Sequence, residues 1–376
     1  MSVVIVGAGL AGQRCAERLR AGGWDGPVRL VGDERRRPYD RPPLSKALLS
    51  GDADAQDVAL RPAAWYAERG VELTRGRAAV GLDPAARCLV LADGDRIRYE
   101  HLVIATGGAP RTLPELRGLP HVRALRTVDD ALTLRGLLVP GVRLAVVGAG
   151  LVGLEVAATA RALGADVTVI EAAPAPLGAV VGTRVGAWLS QLHAAAGVHV
   201  LTDARIQGAE ARALLLDGGR RIACDVILAA VGMAPTTGWL AGSGLPARGA
   251  IATDAAGRTA LPRVYAAGDA AGAGHWEAAA RQGAAVAATI LGHAVPAPAP
   301  ASFWSDQHGI RLQFVGTAAG HDRLEVDGDV AAGDARVLFL RDGRAVGGLL
   351  VGRPRDLPGL RRLLQDDDPD YQRSAA

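Results

Sequence analysis

Cysteine is scarce in this sequence, and long apolar runs are absent. The three cysteines, Cys15, Cys88 and Cys224, lie far apart and form no CxxC or Cys-x4-Cys pair. That spacing argues against a disulfide framework, a redox-active thiol pair and a cysteine metal site. No uncharged apolar run reaches the roughly 18 residues that a membrane helix needs. The apolar opening segment lacks the basic region of a signal peptide, so we expect a cytoplasmic protein with no membrane segment.

A strong excess of charge of one sign is also lacking. The formal net charge is +3, from 42 Lys and Arg residues against 39 Asp and Glu residues. This excess is too weak and too dispersed to indicate nucleic acid binding, but it suits an acidic protein partner. With 49% apolar and 22% charged residues, the composition excludes disordered and fibrous classes. The 376 residues predict two or three domains.

Lysine is the rarest charged residue. Of the 42 basic residues 41 are arginines, and Lys46 is the single lysine. An ammonium group is a compact point charge and a guanidinium group is a planar fork, so the two are not interchangeable where charge must be placed closely. Lys46 is therefore a candidate functional residue, and the alternative interpretation is an ordinary surface lysine. The eight histidines show no metal spacing, and we expect solvated or core positions for them, including His275 and His308.

A glycine-rich turn follows the first apolar run of the chain. The run Val3–Val6 leads into the string GAGLAG, which opens a helical pattern, and a second run, Val28–Val31, ends close to Glu34. This order of strand, turn, helix, strand and acidic residue is typical of a dinucleotide site. The first glycine permits the tight turn, the second lets a pyrophosphate approach, and the third lets the helix pack on the strand. The string comprises Gly7, Ala8, Gly9, Leu10, Ala11 and Gly12.

The same pattern recurs in the middle of the chain. An apolar run at residues 144–147 leads into GAGLVG, whose glycines are Gly148, Gly150 and Gly153, and the next strand ends at Glu171. Two such patterns predict two dinucleotides. No arginine follows Glu171 directly to hold a 2′-phosphate, so the second site favours NADH over NADPH. Arginines at 35–37 do follow the first acidic residue, which leaves NADP as an alternative there, although a solvated basic loop is the favoured interpretation.

Further turns and a proline-rich segment divide the chain. Runs at 101–108 and 225–232 end in glycine turns, as expected where a chain crosses between domains. Another strand ends before Asp269, which is either a helix cap or a ligand of a ribityl hydroxyl. Residues 294–301 read as a semi-rigid linker, followed by alternating runs and a helix. The acidic run 366–368 reads as a solvated tail. The predicted fold class is α/β, with two Rossmann-like dinucleotide-binding domains and a small C-terminal α+β domain.

Several strings together carry a family resemblance over essentially the whole chain. The sequence resembles the FAD-dependent, NADH-linked ferredoxin reductases of bacterial oxygenase systems, which include putidaredoxin, rubredoxin and biphenyl-dioxygenase ferredoxin reductases. Residues 39–46 and the string WSDQ are the most specific signals, whereas the glycine turns are shared more widely. The strings are the two glycine patterns in order, RPPLSK at 41–46, ATG at 105–107, AGD at 267–269, Trp276 with Gln282, and WSDQ at 304–307.

The resemblance implies FAD and NADH as cofactors and assigns residues to them. It implies an FAD-binding domain at 1–110 and 232–298, an NADH-binding domain at 111–231, and a C-terminal domain at 299–376 near the flavin. It places Trp276 and Trp304 near the flavin ring, while core positions are expected for the other four tryptophans, Trp24, Trp65, Trp188 and Trp239. The implied cofactor-binding residues are Gly7, Gly9, Leu10, Ala11, Gly12, Glu34, Arg41, Lys46, Ala105, Thr106, Gly107, Gly148, Gly150, Gly153, Glu171, Gly232, Gly268, Asp269, Trp276 and Trp304.

The resemblance also implies two catalytic residues and a protein partner. Lys46 matches the family's lysine beside the flavin N5 edge, and Glu155 matches its acidic partner. A point cation there stabilises the negative charge that develops on reduction. The plain alternative for Glu155 is a first-turn glutamate stabilised by the helix dipole. The implied acceptor is an iron–sulfur ferredoxin or rubredoxin, with no nucleic acid, metal or membrane, and the oligomeric state, monomer or weak dimer, stays open.

Two other functions are compatible with the same fold. One is an NADH oxidase or peroxidase that uses O2 or peroxide, although peroxidase relatives need a cysteine near the flavin and this region offers only Cys15. The other is a non-enzymatic flavoprotein that senses NADH, since a fold does not fix a function. Without paired cysteines no disulfide stores an electron pair, and this favours direct transfer to an external carrier.

Overall fold

The computed structural model describes residues 1–297 and 299–366. Its helices, in chain order, are α1 (Leu10–Ala21), α2 (Ala47–Ser50), α3 (Ala63–Glu68), α4 (Val128–Leu137), α5 (Leu151–Ala162), α6 (Gly178–Ala195), α7 (Trp276–Leu291) and α8 (Leu357–Asp366). None of the helices in these residues is long and apolar enough to span a bilayer.

The strands are short and belong to parallel and antiparallel sheets. In chain order they are β1 (Val3–Val6), β2 (Val28–Val31), β3 (Val71–Thr74), β4 (Ala79–Asp83), β5 (Cys88–Leu91), β6 (Arg96–Arg98), β7 (His101–Ile104), β8 (Gly108–Pro110), β9 (Val122–Arg123), β10 (Arg143–Val147), β11 (Asp166–Ile170), β12 (His199–Leu201), β13 (Ile206–Glu210), β14 (Ala213–Leu216), β15 (Arg221–Ala223), β16 (Val226–Ala229), β17 (Met233–Pro235), β18 (Val264–Ala266), β19 (Ser302–Gln307), β20 (Ile310–Gly316), β21 (Arg323–Asp329), β22 (Asp334–Arg341) and β23 (Arg344–Val351).

The described residues group into two compact units. The first unit contains Met1–Asp40, Gln56–Ala109 and residues 234–297, and the second contains Arg41–Ala55, Pro110–Met233 and residues 299–366. The chain thus crosses between units close to the two glycine turns where a crossing is expected. Residues 41–55 group with the second unit, although their sequence neighbours belong to the first. The predicted bounds of the FAD, NADH and C-terminal domains stay predictions.

The core of the first unit is a five-stranded parallel sheet in the order β18-β7-β1-β2-β3. Successive side chains of a strand point to opposite faces, so this sheet is buried on both sides. Val3 and Ile5 pack among residues of α1 and α7, whereas Val4 and Val6 pack towards the antiparallel sheet β4-β5-β6. The continuous apolar run of β1 is explained by this burial.

The second unit repeats this arrangement. Its parallel sheet has the order β12-β11-β10-β16-β9, in which β10 lies between β11 and β16 as β1 lies between β2 and β7. Each glycine-rich turn therefore follows a central strand and leads into a helix. The repeat explains why both sequence patterns predict the same local structure.

A C-terminal sheet completes the second unit. It is antiparallel, in the order β19-β20-β23-β22-β21, and Phe303, Phe314 and Phe339 join its core to that of α5 and α6. α8 covers a separate apolar cluster on this sheet. The fold prediction of two Rossmann-like units and a small α+β domain is confirmed. Residues 294–297 and 299–301 form neither helix nor strand, as predicted, whereas Pro298 and residues 367 and 368 of the acidic run lie outside the described residues.

Helix packing in the first unit gives a stability prediction. Gly283 of α7 lies against α1 so closely that an added Cβ atom would stand 2.2 Å from the carbonyl oxygen of Ala11. Gly283→Ala should lower the free energy of unfolding by about 1–3 kcal/mol, because the two helices must separate. Gly136→Ala in α4 is the matched control, since nothing lies within 4 Å of its added Cβ. The control should be neutral or stabilising. Urea unfolding of both variants measures the difference, and equal stabilities would contradict the prediction.

Candidate functional site

The predicted residues of the first unit converge at one edge of its parallel sheet. The glycine turn follows β1, Glu34 follows β2, residues 105–107 follow β7, and Gly268 with Asp269 follows β18. The carboxyl ends of adjacent parallel strands share an edge, and ligands of such sheets bind outside it. These predicted residues, which are distant in sequence, are therefore brought together in one crevice.

The first glycine turn fits a pyrophosphate group. A Cβ atom at Gly7 would stand 2.0 Å from the carbonyl oxygen of Ala105, and one at Gly12 would stand 2.1 Å from that of Gly7. At Gly9, by contrast, nothing lies within 4 Å of an added Cβ. Helix α1 begins after Gly9 without a side-chain cap and without an acidic residue in its first turn. Its amino terminus therefore offers backbone N–H groups and a positive dipole end to an anion.

Side chains around this crevice are held by short hydrogen bonds. The Tyr39 hydroxyl donates to the Glu34 carboxylate at 2.6 Å, and the backbone N–H of Gly268 donates to the side-chain oxygen of Gln282 at 2.8 Å. Asp269 lies inside a 3-10 helix, Gly268–Ala271, whose cap residue is Ala267, so the interpretation of Asp269 as a cap residue is wrong. Thr106 donates its hydroxyl to a backbone carbonyl, which fixes the turn after β7.

Four of the six tryptophans pack in the core, as predicted. The four expected core tryptophans each pack, partly buried, against an apolar cluster. In the first unit, Trp276 begins α7, donates its indole N–H to Asp40 at 2.6 Å, and has the guanidinium of Arg14 5.9 Å from its ring centre. Trp304 lies in β19 of the second unit and is half-buried. Proximity of either ring to a flavin stays a prediction.

The second glycine turn has the same construction as the first. A Cβ atom at Gly148 would stand 2.6 Å from the carbonyl oxygen of Ala230, and one at Gly153 would stand 2.1 Å from that of Gly148. Gly150 has open space around its added Cβ. Gly232, which follows β16, has a φ of +94° that favours glycine. The second turn thus fits a second pyrophosphate group.

Glu171 closes one side of this second crevice. Its two carboxylate oxygens accept backbone N–H groups, from Ala149 at 2.7 Å and from Ala173 at 2.8 Å. These bonds fix the carboxylate beside the glycine turn, where it can accept from ribose hydroxyls. A fixed negative charge repels a 2′-phosphate, which agrees with the prediction of NADH at this position.

Lys46 and Glu155, the two predicted catalytic residues, form an ion pair within the second unit. The Lys46 Nζ atom lies 2.6 Å from Glu155 Oε2, and the Lys46 and Glu155 side chains are 20% and 6% exposed. Pro42 and Pro43 begin a short 3-10 helix that ends at Ser45, so the backbone before Lys46 is rigid. Arg41, just before it, donates to the carbonyl of Arg126.

Two hydroxyl groups complete the surroundings of Glu155. Ser45 donates to Oε2 at 2.5 Å and Ser305 of β19 donates to Oε1 at 2.7 Å. A buried carboxylate is costly unless it is paired and hydrogen-bonded, and here it has three donors. Glu155 lies in the second turn of α5, which has no acidic residue in its first turn, so the interpretation of Glu155 as a first-turn glutamate stabilised by the helix dipole is wrong.

Sequence reasoning missed two histidines next to this pair. Gln307 donates to Ser305 at 2.9 Å, His193 of α6 lies 3.0 Å from Gln307 Oε1, and His308 lies 3.1 Å from His193. Burial lowers the pKa of His193 to about 4 and also lowers the pKa of His308. Alternation along β19 places Ser305 and Gln307 on one face and was a usable signal. Nothing local pointed to His193, which lies more than 100 residues away.

The cysteines offer no redox centre. Cys15, Cys88 and Cys224 are free and buried, and burial raises the pKa of Cys15 to about 12. A thiol with such a pKa is not a nucleophile near neutral pH. Within residues 1–297 and 299–366, no cluster of three or more His, Cys, Asp or Glu side chains is arranged to hold a metal ion.

The fold and the two crevices define the class of the protein as an oxidoreductase with two dinucleotide sites. Family models match most of the chain: residues 1–283 match the pyridine nucleotide-disulphide oxidoreductase model, and residues 302–376 match the reductase C-terminal model. The chain therefore belongs to the pyridine nucleotide-disulphide oxidoreductase family, in the branch that carries this C-terminal domain.

Similar curated proteins are reductases of electron-transfer proteins. The chain is 35% identical to putidaredoxin reductase of Pseudomonas putida over 98% of its length and 92% of the relative. It is 36% identical to rhodocoxin reductase of Rhodococcus erythropolis, over 100% and 92% of the two chains. It is 37% identical to the ferredoxin–NAD(+) reductase subunit of a benzene 1,2-dioxygenase system from Pseudomonas putida, over 96% and 92%.

Solved structures agree with these relatives. The reductase in a covalent putidaredoxin reductase–putidaredoxin complex matches with a TM-score of 0.93 at 35% identity, over 98% of this chain and 94% of that one. The ferredoxin reductase for the CYP199A2 system of Rhodopseudomonas palustris matches with a TM-score of 0.91 at 33% identity, over the whole of both chains. The recognition of a ferredoxin reductase family in the sequence is confirmed.

The buried histidine gives a pH prediction. His193 is neutral in the folded protein down to about pH 4, whereas an unfolded histidine takes up a proton near pH 6.5. The unfolded state therefore binds more protons between these values, and the free energy of unfolding should fall as the pH drops from 6.5 to 4.

His193→Gln should remove up to about 3 kcal/mol of this fall, measured by urea unfolding across that pH range. His199→Gln is the matched control, because His199 is exposed. If both variants retain the wild-type pH dependence, the proposed burial penalty at His193 is wrong.

Proposed function

We propose that the chain is an FAD-containing NADH:ferredoxin oxidoreductase. It passes electrons from NADH, one at a time, to an iron–sulfur ferredoxin or rubredoxin-like carrier that serves an oxygenase or P450. The observation that carries the proposal is the presence of two dinucleotide crevices in a chain whose three cysteines are separate and buried. With no thiol pair to receive the electrons, they must pass to an acceptor outside the chain, and this carrier is the acceptor that we propose.

Each crevice is assigned one dinucleotide. The turn after β1, with Glu34, residues 105–107 and Asp269, would hold the ADP and ribityl parts of FAD. The turn after β10, with Glu171 and Gly232, would hold NADH. Support comes from the open space at Gly9 and Gly150, where a side chain would fill the place of a phosphate. The predicted domain bounds, FAD at 1–110 and 232–298 and NADH at 111–231, belong to this proposal.

The Lys46–Glu155 pair supplies the charge for the reaction. Bound FAD supplies the conversion of one two-electron hydride into single electrons. Lys46 would present a fixed cation to the flavin, since negative charge develops there on reduction. Glu155 would keep that ammonium group in place. The balance is one NADH and two oxidised ferredoxins giving NAD+, two reduced ferredoxins and one proton.

The names of the relatives support an iron–sulfur protein as the electron acceptor. Putidaredoxin reductase has been crystallised joined to putidaredoxin, and other relatives are named as ferredoxin reductases of dioxygenase systems. The net charge of +3 would favour encounter with an acidic carrier. We further propose that the protein acts in the cytoplasm, where NADH is available.

One experiment separates this function from its alternatives. Stopped-flow reduction by NADH is followed by cytochrome c reduction with and without added ferredoxins of oxygenase systems. We expect NADH to reduce the bound flavin and cytochrome c reduction to depend on a ferredoxin. A rate that is equally large without any ferredoxin indicates an oxidase. Flavin reduction with no acceptor activity at all indicates a sensor, and a protein that binds no flavin overturns the proposal.

Lys46→Ala should slow flavin reduction by NADH by about tenfold to a hundredfold, because the developing negative charge loses its cation. Flavin content should be unchanged, since the residues assigned to bind the ADP part are untouched. Lys46→Arg should give an intermediate rate, because it restores charge but not the compact group. Stopped-flow absorbance and flavin release measure both quantities. The exposed Arg258→Ala is the control, and a Lys46→Ala rate equal to that of this control would refute the assigned role.

Nucleotide preference tests the second crevice. The double variant Glu171→Ala/Ala172→Arg replaces the carboxylate with a cation that can pair with a 2′-phosphate. The ratio of kcat/KM for NADPH to that for NADH should rise by about tenfold or more, as expected for one charge-assisted hydrogen bond. Ala172→Arg alone, which retains Glu171, should change the ratio much less. An unchanged preference in the double variant would place the NADH ribose elsewhere.

A further inference from the structure

The Lys46–Glu155 pair is one end of a row of side chains, which we call the Glu155 row: Ser305, Gln307 and His193, which are buried, and His308, which is half-buried. From Glu155 Oε1 the row runs through Ser305 at 2.7 Å, Gln307 at 2.9 Å, His193 at 3.0 Å and His308 at 3.1 Å. Ser305 and His193 are completely buried and Gln307 is 1% exposed. These three side chains are therefore shielded from bulk water in the intact row.

The chemistry of each group gives the row a single direction. An ionised carboxylate only accepts, so the one hydroxyl proton of Ser305 is donated to Glu155. The Gln307 amide nitrogen donates to Ser305, and its oxygen must then accept from Nε2–H of His193. The Nδ1 atom of His193 carries no proton and accepts from Nε2–H of His308. Every donor in the row points towards Glu155.

We propose that Ser305, Gln307 and His193 are positioning residues that hold the Glu155 carboxylate turned towards Lys46, and that the charge of Glu155 in return fixes the tautomers of His193 and His308. In the reversed row, Gln307 would accept from Ser305, and two oxygens with lone pairs would face each other at Glu155. That arrangement removes one of the three donors of a buried charge and is costly.

The row acts through orientation and not by conducting protons. A side-chain amide passes no proton without first taking an imidic acid form, so Gln307 interrupts any proton path between His193 and Glu155. His193 must also stay neutral, because a proton on Nδ1 would face the N–H of His308. Burial lowers the pKa of His193 to about 4, so the row is intact near neutral pH.

The inference rests on the proposed function only for the role of Lys46 in flavin reduction. The geometry of the row is independent of any cofactor. The tests therefore measure the geometry of the row by NMR first and the rate of flavin reduction second.

The first test determines which ring nitrogen of His193 carries the proton. Long-range 1H–15N NMR of the full-length protein at pH 7 distinguishes the two neutral tautomers of a histidine ring. We expect His193, identified by loss of its signals in His193→Gln, to carry its proton on Nε2. In Glu155→Gln the carboxamide can donate or accept, and His193 should become a mixture of tautomers. A wild-type His193 with its proton on Nδ1 overturns the proposal.

The second test uses the fact that Lys46 is the only lysine in the chain. Lysine labelled with 15N at the side chain gives one ammonium signal, whose hydrogen exchange slows when the group is held in an ion pair. Ser305→Ala and Gln307→Leu should increase that exchange rate by about fivefold, as expected for loss of about 1 kcal/mol of positioning. Ser305→Thr, which retains the hydroxyl, should restore the slow rate.

Gln313→Leu is the matched control, because Gln313 is a buried glutamine of the neighbouring strand β20 outside the row. It should leave the ammonium exchange unchanged. If Ser305→Ala and Gln307→Leu behave like this control, the row does not position the pair and the proposal fails.

Stopped-flow reduction by NADH separates failure of the inference from failure of the proposed function. If NADH reduces the flavin of the row variants more slowly and their flavin content is unchanged, both the inference and the proposed function stand. If the NMR changes appear but NADH reduces no form of the protein, the inference stands and the proposed function fails. If NADH reduces the wild-type flavin, but the His193 tautomer and the Lys46 hydrogen-exchange rate are the same in the variants as in the wild type, the function stands and the inference fails.

Discussion

The close approach of backbone to backbone at the two glycine turns determines how the rest of each unit is built. The carbonyl oxygens of Ala105 and Ala230 lie 2.0 and 2.6 Å from where Cβ atoms of Gly7 and Gly148 would be. No side chain fits there, so each turn must be glycine and each central strand must be followed at once by its helix. This contact brings adjacent strand ends together, and the ligand-binding edge results from it.

Features encoded by adjacent residues could be predicted from the sequence. The strands at Val3–Val6 and Val28–Val31, the helices after both glycine turns and the two acidic residues lie where their patterns indicate. Long-range packing could not be predicted in this way. The grouping of residues 41–55 with the second unit depends on contacts of Ser45 and Lys46 with Glu155, which is about 110 residues away. The position of His193 beside Gln307 has the same origin.

Helix α5, which follows the second glycine turn, carries both the amino terminus of the second crevice and the charged residue Glu155. Its amino terminus follows Gly150, and Glu155 lies in its second turn, where β19 and the segment before α2 cover it. Burying a carboxylate costs several kcal/mol, and removing one partner of such a group is destabilising. The rigid Pro42–Ser45 turn and the alternating polar residues of β19 are therefore constraints on the site as much as on the fold.

The family takes its name from a disulphide, but the charge in this site comes from a lysine. A thiol pair stores two electrons in a bond, so it needs adjacent cysteines with depressed pKa values. This chain has three isolated, buried thiols, and that of Cys15 has a raised pKa. An ammonium group stores no electrons and only stabilises negative charge nearby. The isolated thiols of this chain therefore agree with its similarity to reductases that are named for ferredoxins and not for a disulphide.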